Sequence, residues 1–106
     1  MINKKILGLL GLAARARKIA FGADSVENEL NARKIKVIIV AEDSSERTKE
    51  KFTKLSKEYG IPIIIKGNID ELSKTIGKSN KAIIGIKDIN LSNEIIKIND
   101  GGDIIG

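Results

Sequence analysis

The segment Val37–Ala41, with the sequence VIIVA, decides the fold class of this chain. Two further segments have the same character, Ile61–Ile65 (IPIII) and Ala82–Ile86 (AIIGI). Each is short, rich in β-branched residues and apolar at consecutive rather than alternate positions, which is typical of strands buried on both faces of a sheet. Pro62 has no backbone N–H group, so we expect it at the beginning of its strand or at a sheet edge.

Helical patterns fill the intervals between these strands. The clearest covers Ser45 to Tyr59, with its apolar stripe at helical spacing and Gly60 as its end. Asn68 is predicted to cap a short helix that Gly77 ends, and Asn90 to cap a helix that buries Leu91, Ile95 and Ile98.

The first third of the chain predicts a helix, a short strand and a second helix. Apolar residues between Ile6 and Ala14 mark the first helix, and Ile19–Phe21 forms the strand. Gly22 breaks that strand, and Asp24 or Ser25 is predicted to cap the second helix. This alternation predicts an α/β protein, a central sheet between helices. We expect one domain over residues 1–98 and a flexible tail over 99–106.

Composition excludes several functional classes. The 106 residues contain no Cys and no His, which removes disulfides, thiolate sites, the commonest metal ligand and the usual general base. We therefore predict no metal and no cofactor. No apolar run approaches the length of about 20 residues that a membrane span needs. The apolar start faintly suggests a signal peptide, but basic residues follow it, and we interpret it as a helix of a cytoplasmic protein.

The basic charge is concentrated near the amino terminus. The net charge is +5, and residues 1–36 hold eight basic and three acidic groups whereas the remainder holds eleven of each. A localised cationic excess suits binding to a phosphate backbone. A solvated basic surface that keeps the protein soluble is the other interpretation, and charge alone does not separate the two.

Two short motifs fit known chemistry incompletely. Gly77-Lys78-Ser79 resembles the end of a P-loop, but Leu72 occupies the position of the earlier glycine, and the segment runs from helix into strand. Glu42-Asp43 follows a strand where a magnesium site is conceivable. We favour a structural role, in which Asp43 caps the next helix with Glu46 three residues on.

A cationic cluster precedes the second helix. Arg15, Arg17 and Lys18 come just before the Phe21–Ala23 turn, and a helix start presents free amides and a positive dipole end. Together these groups predict an anion site suited to phosphodiesters. An ordinary basic turn beside a capped helix is the alternative.

Several ordered segments resemble a known family. They are residues 11–18 (GLAARARK), Gly22-Ala23, residues 38–43 (IIVAED), Gly60-Ile61-Pro62, and Leu72 with Ile76-Gly77. Over residues 4 to 98 the chain resembles the kink-turn RNA-binding ribosomal proteins of the L7Ae type, and within them the small stand-alone bacterial homologues. The resemblance implies a three-layer α/β/α sandwich with a four-stranded mixed sheet. It also implies a non-catalytic protein that binds sharply bent, structured RNA, with the ribosome as a possible partner.

The family's contact residues transfer to this chain only in part. Its signature Gly-Ala-Asn-Glu-x-x-Lys meets tandem sheared G·A pairs; Gly22 and Ala23 match it, while Asp24, Ser25 and Asn28 replace Asn, Glu and Lys. Phe21 stands where a basic residue is common. A second loop, which meets an extruded nucleotide, corresponds to Gly77–Lys81. The resemblance and the charge together predict the following RNA-binding residues: Arg15, Arg17, Lys18, Gly22, Ala23, Asp24, Ser25, Asn28, Lys36, Lys78, Ser79, Asn80 and Lys81.

These replacements leave two other functions open. Because phosphate contacts position a complex and base contacts give specificity, we expect RNA binding with altered or relaxed kink-turn recognition. The same fold could instead be a protein-interaction domain that has lost specific RNA contacts. A small enzyme would have to rely on Glu42, Asp43 and lysines, which makes it the weakest of the three. The charged helix faces favour a monomer.

Overall fold

A computed structural model describes residues 2–101. The alternating pattern forms nine elements in the predicted order. They are α1 (Lys4–Arg15), β1 (Ile19–Phe21), α2 (Ala23–Asn31), β2 (Val37–Val40), α3 (Glu46–Tyr59), β3 (Ile63–Ile65), α4 (Ile69–Thr75), β4 (Ile83–Ile86) and α5 (Ile89–Asn99). The prediction of an α/β fold is confirmed. No helix of this described range is both long and apolar enough to cross a membrane.

The four strands form one mixed sheet in the order β1-β4-β2-β3. β4 lies antiparallel to both β1 and β2, with Gly85 opposite Ala20 on one side and Ile38 on the other. β2 and β3 are parallel. Strand β1 is therefore an edge strand, and its two ends lie at opposite ends of the sheet.

Two apolar cores cover the two faces of this sheet. Successive residues of β2 alternate between them: Val37 and Ile39 pack with α1, α4 and α5, whereas Ile38 and Val40 pack with α2 and α3. Phe52 of α3 is fully buried in the second core. Helices on both faces of a four-stranded mixed sheet make the predicted three-layer α/β/α sandwich.

Burial corrects one prediction about the strands. All residues of β2 and β4 are buried, as continuous apolar runs predict for central strands. β3 is shorter than the predicted Ile61–Ile65 and is not buried on both faces, because it forms the other edge and leaves Ile65 37% exposed. Pro62 lies just before β3, and its carbonyl accepts a hydrogen bond from the Ile38 amide.

The predicted role of Asp43 is also wrong. Ser45 caps α3, accepting a hydrogen bond from the Thr48 amide at 3.1 Å. The Asp43 carboxylate instead accepts from the Ile69 amide at 2.9 Å, at the first turn of α4. Asp43 thus joins the end of β2 to a helix far along the chain, which local spacing does not predict.

The helix α5 begins earlier than predicted. Asp88, not Asn90, is its N-cap and accepts a hydrogen bond from the Leu91 amide at 2.8 Å. The cap of α4 is the predicted Asn68, which accepts from the Glu71 amide at 2.7 Å. α5 ends at Asn99. The boundary at residue 98 stays a prediction, because residues 102–106 of the predicted tail lie outside the described residues.

Candidate nucleic-acid interface

The start of α2 is held by backbone groups alone. Gly22 adopts a φ of 86°, which favours glycine, and its amide donates to the Ile83 carbonyl at 2.9 Å. Gly22 is the N-cap, so the prediction that Asp24 or Ser25 caps this helix is wrong; both residues lie in its first turn. Within residues 2–101, no acceptor bonds the amides of Ala23, Asp24 and Ser25. These amides are available to an external anion.

The exposed side chains of α2 carry one unpaired acid. The other two carboxylates of the helix are neutralised: Glu27 lies 2.9 Å from the Lys51 ammonium, and Glu29 lies 3.4 Å from that of Lys87. Asp24 has no ion pair among the described residues. Ser25 and Asn28 are exposed on neighbouring turns. The first turn therefore combines free amides with one carboxylate and two neutral polar groups.

The loop between α4 and β4 is fixed by a buried serine. Ser73 is 2% exposed, and its hydroxyl accepts from the Lys81 amide at 2.7 Å and donates to the Lys81 carbonyl at 3.2 Å. The Lys78 amide donates to the Ser73 carbonyl at 2.8 Å. Ser79 and Asn80 are exposed between these anchors, and Asn80 has a φ of 55°. The loop is thus anchored at both ends, with its polar residues facing solvent.

Phe21 brings this loop to the start of α2. The ammonium of Lys78 lies 5.1 Å from the centre of the Phe21 ring, and that of Lys81 lies 5.4 Å from it. Both distances are within the range of cation–π attraction. Because Phe21 directly precedes Gly22, the two regions matched to the family's contacts lie side by side. In the sequence Phe21 is only a departure from a basic residue, whereas in the structure its aromatic ring contacts both lysine ammonium groups.

A groove follows the free edge of β1. It has a volume of about 360 Å³ and lies beside Arg17, Ile19, Phe21, Gly77 and Lys78. Arg17 and Lys18 precede β1 and Gly22 follows it, so about 13 Å of extended backbone separates Lys18 from Gly22 at 3.3 Å per residue. The three basic residues predicted to form one cluster therefore lie in different places along this edge. Of the three, Arg17 reaches this groove, and Arg15 instead lies beside Gly11 and α4.

A second groove lies at the other end of β1, and basic side chains surround it. Its volume is about 400 Å³, and its lining residues are Arg17, Lys18, Arg33, Lys34, Lys36 and Lys87. We call it the basic groove. The sequence-based site list contains only Arg17, Lys18 and Lys36 of this set.

One sequence signal could have identified two of the missed residues. The tetrapeptide Ala-Arg-Lys-Ile occurs twice, at residues 16–19 and 32–35, each time between a helix and a strand. Lys87 has no such signal. It joins the groove because its amide donates to the Lys18 carbonyl at 2.7 Å, across the ends of β4 and β1.

The chemistry of these surfaces is that of anion recognition. They offer backbone amides, ammonium groups and guanidinium groups, all of which donate hydrogen bonds to phosphate oxygens. Among residues 2–101, no three His, Cys, Asp or Glu side chains gather as a metal site would require. The fold and the site define a small α/β/α sandwich with basic side chains along one edge of its sheet.

This chain belongs to the ribosomal protein L7Ae/L30e/S12e/Gadd45 family, whose model matches residues 4–96. It is 33% identical over 92 residues to the RNA-binding protein YlxQ of Bacillus subtilis (strain 168), covering 87% of this chain and 92% of the relative. The protein of the same name from Enterococcus faecium is 35% identical over 86 residues, covering 81% and 82%.

Solved structures agree with the fold. A Bacillus halodurans C protein of unknown function superposes with a TM-score of 0.88 at 34% identity, covering 92% of this chain and 99% of that chain. The Giardia lamblia 15.5kD RNA binding protein superposes with a TM-score of 0.78 at 19% identity, covering 95% and 92%. At that lower identity the second likeness concerns the fold alone.

Proposed function

We propose that this protein is a non-catalytic, cytoplasmic RNA-binding protein that binds bent, kink-turn-like RNA as a monomer. The start of α2 and the α4–β4 loop are the proposed contact regions. Phe21, at the end of β1, contacts the loop and directly precedes the N-cap of α2. Relatives that match over most of their length are named RNA-binding proteins, which supports this class of ligand. The family description names ribosomal proteins, so ribosomal RNA is the first RNA class to test.

The convergence of two segments on Phe21 carries the proposal. The free amides of Ala23–Ser25 begin two residues after Phe21, and two lysine ammonium groups lie 5.1 and 5.4 Å from the centre of the Phe21 ring. Amides at a helix start and nearby ammonium groups both favour phosphate oxygens. The two segments come from distant parts of the chain, which suits an RNA whose backbone bends sharply between two contacts.

Specificity for the bend is proposed to be weaker than in the family pattern. Asp24 brings an exposed carboxylate toward a polyanion, although it can accept a hydrogen bond from a guanine amino group. Ser25 and Asn28 offer shorter polar groups than Glu and Lys. The unpaired Asp24 also favours the second candidate, a protein-interaction domain with the same fold. An exposed carboxylate at this position can form an ion pair with a basic residue of a partner protein.

A paired titration tests the proposal. The full chain is titrated by fluorescence anisotropy against a kink-turn duplex and a straight duplex of the same length and base composition, over a series of salt concentrations. We expect tighter binding to the kink-turn at every salt concentration and a salt-dependent affinity for both RNAs.

Equal and weak binding to both duplexes would contradict the kink-turn proposal and leave a generic basic surface. The protein-interaction alternative predicts a different result. Affinity purification would then return protein partners that stay bound after ribonuclease treatment, and neither duplex would bind at physiological salt.

A further inference from the structure

The basic groove is built from two helix ends of the same construction. α1 and α2 both end in a Schellman motif, a C-terminal turn closed by two backbone hydrogen bonds. In α1 the Lys18 amide donates to the Ala13 carbonyl at 2.8 Å and the Arg17 amide to the Ala14 carbonyl at 3.1 Å. Arg17 and Lys18 thus occupy the two positions that close the C-terminal turn of α1.

In α2 the corresponding donors are Lys34, to the Glu29 carbonyl, and Arg33, to the Leu30 carbonyl, both at 2.9 Å. Arg33 has a φ of 58° and Arg17 a φ of 57°. Glycine is the usual residue at this left-handed position, because a Cβ atom there is strained. Arginine occupies it twice, and both arginines line the basic groove.

Backbone bonds between neighbouring loops hold the groove together. The Lys36 amide donates to the Ile86 carbonyl at 2.7 Å, and the Lys87 amide donates to the Lys18 carbonyl at 2.7 Å. The loops after α1, α2 and β4 are therefore fixed to one another before any ligand arrives. Preorganised cations lose less freedom when they bind an anion than cations on mobile loops do.

The charges in this region are poorly balanced. Glu29 pairs with Lys87 at 3.4 Å, and within residues 2–101 no other ion pair involves a residue that lines the groove. Cations near a helix C-terminus do stabilise the helix dipole. The interaction with the helix dipole explains an arginine at the end of α1 and another at the end of α2. It does not explain why both helix ends line the same groove as Lys36 and Lys87.

We propose that the basic groove is a second RNA contact, which holds the phosphate backbone of a stem next to the bent element. This inference rests on the proposed function and extends its site. Arg17 lines both grooves, so the two surfaces are continuous along β1. From Gly22 back to Lys18 the backbone spans about 13 Å, which corresponds to about four base pairs at 3.4 Å each.

The test uses Arg33→Gln with Lys34→Gln, a pair outside the α2 and α4–β4 contact regions. A bent RNA with a long stem and the same RNA with that stem trimmed below about four base pairs are the two probes. For the long-stem RNA we expect the slope of log K against log salt to flatten by about 1.8, since each phosphate contact in a duplex contributes about 0.9. That corresponds to about 30-fold weaker binding at 0.15 M salt.

The matched control is Lys54→Gln with Lys57→Gln, which removes the same charge from exposed positions of α3. For the trimmed RNA, the groove variant should lose no more affinity than this control does. The melting temperature of each variant is also measured. Weaker RNA binding at an unchanged melting temperature indicates lost RNA contacts, whereas a lower melting temperature indicates a destabilised helix end. Equal losses in the two variants, or an unchanged slope on the long stem, would overturn the proposal; in the second case an acidic protein becomes the ligand to test.

The experiments distinguish failure of the proposed stem contact from failure of the proposed function. If the bent RNA is not preferred over a straight duplex, the proposed function fails. The groove variant would still flatten the salt slope on the straight duplex if the groove holds a stem backbone.

Discussion

Ile35 lies so close over Gly85 that a Cβ atom added to Gly85 would be 2.6 Å from the Ile35 Cδ1 atom. Ile35 ends the second Ala-Arg-Lys-Ile segment and is 1% exposed. Gly85 lies in β4, between β1 and β2. The missing side chain in the central strand thus makes room for the residue that anchors the loop carrying Arg33 and Lys34.

Gly85→Ala should therefore destabilise the protein by about 1–3 kcal/mol, the range for overpacking a well-packed core. Urea denaturation monitored by circular dichroism measures this change. Gly8→Ala is the control, because Gly8 is an exposed residue of α1 with no described atom within 4 Å of an added Cβ. That substitution should stabilise the helix by about 0.5–1 kcal/mol. A Gly85→Ala variant as stable as the wild type would contradict the packing argument.

The sequence predicts the sheet and its helices because their signals are local. Continuous apolar runs mark β2 and β4, which are central, and Asn68 caps α4 as its spacing predicts. The misplaced details depend on tertiary contacts. β3 is an edge strand, and Asp43 bonds the start of α4 rather than that of α3. Neither the edge position of β3 nor the hydrogen bond between Asp43 and α4 can be predicted from the neighbouring residues.

Phe21→Leu should weaken binding to kink-turn RNA by about 2- to 5-fold. The ring holds Lys78 and Lys81 beside the start of α2, and a cation–π contact at an exposed site contributes about 0.5–1 kcal/mol. Leucine keeps an apolar side chain but has no aromatic face, so the lysines lose their fixed position. Fluorescence anisotropy gives the affinity, and amide hydrogen exchange at Lys78–Asn80 should become faster. Unchanged affinity would place the RNA away from Phe21.

Asp24→Asn should change binding and stability in opposite directions. It restores the amide of the family signature and removes a negative charge, so kink-turn RNA should bind at least about fivefold more tightly, the lower end of a bidentate base contact. The same change removes a favourable carboxylate from the first turn of α2 and should lower stability by about 0.3–1 kcal/mol. RNA titration and thermal denaturation measure the two effects.

Glu58→Gln is the matched control for charge, since Glu58 is an exposed residue of α3. It should leave the preference for kink-turn over straight RNA unchanged. If Asp24→Asn has no greater effect on that preference than Glu58→Gln, the start of α2 does not contact the bent element.

The candidate site was only partly predictable, for a geometrical reason. The sequence gives the charge of Arg17 and Lys18, but the length of β1 separates them from Gly22. Lys87 reaches the basic groove through the antiparallel register of β1 and β4, in which Ile19 lies opposite Ile86. The repeated tetrapeptide was visible in the sequence, yet its two copies face one groove only because α1 and α2 end at the same end of the sheet.

Arg17→Gly and Arg17→Ala separate the backbone of this position from its charge. Arg17 has a φ of 57°, where a residue with a Cβ atom is about 1–2 kcal/mol less favourable than glycine. Part of that gain is lost because glycine is more flexible in the unfolded chain. We therefore expect the Gly variant to be about 0.5–1 kcal/mol more stable than the Ala variant. Both variants lack the guanidinium that lines the two grooves, so both should bind RNA more weakly by the same factor and with a flatter salt dependence. Urea denaturation and anisotropy titration on the same samples give both quantities. A Gly variant that is more stable but binds RNA as tightly as the wild type would show that Arg17 serves the helix end alone.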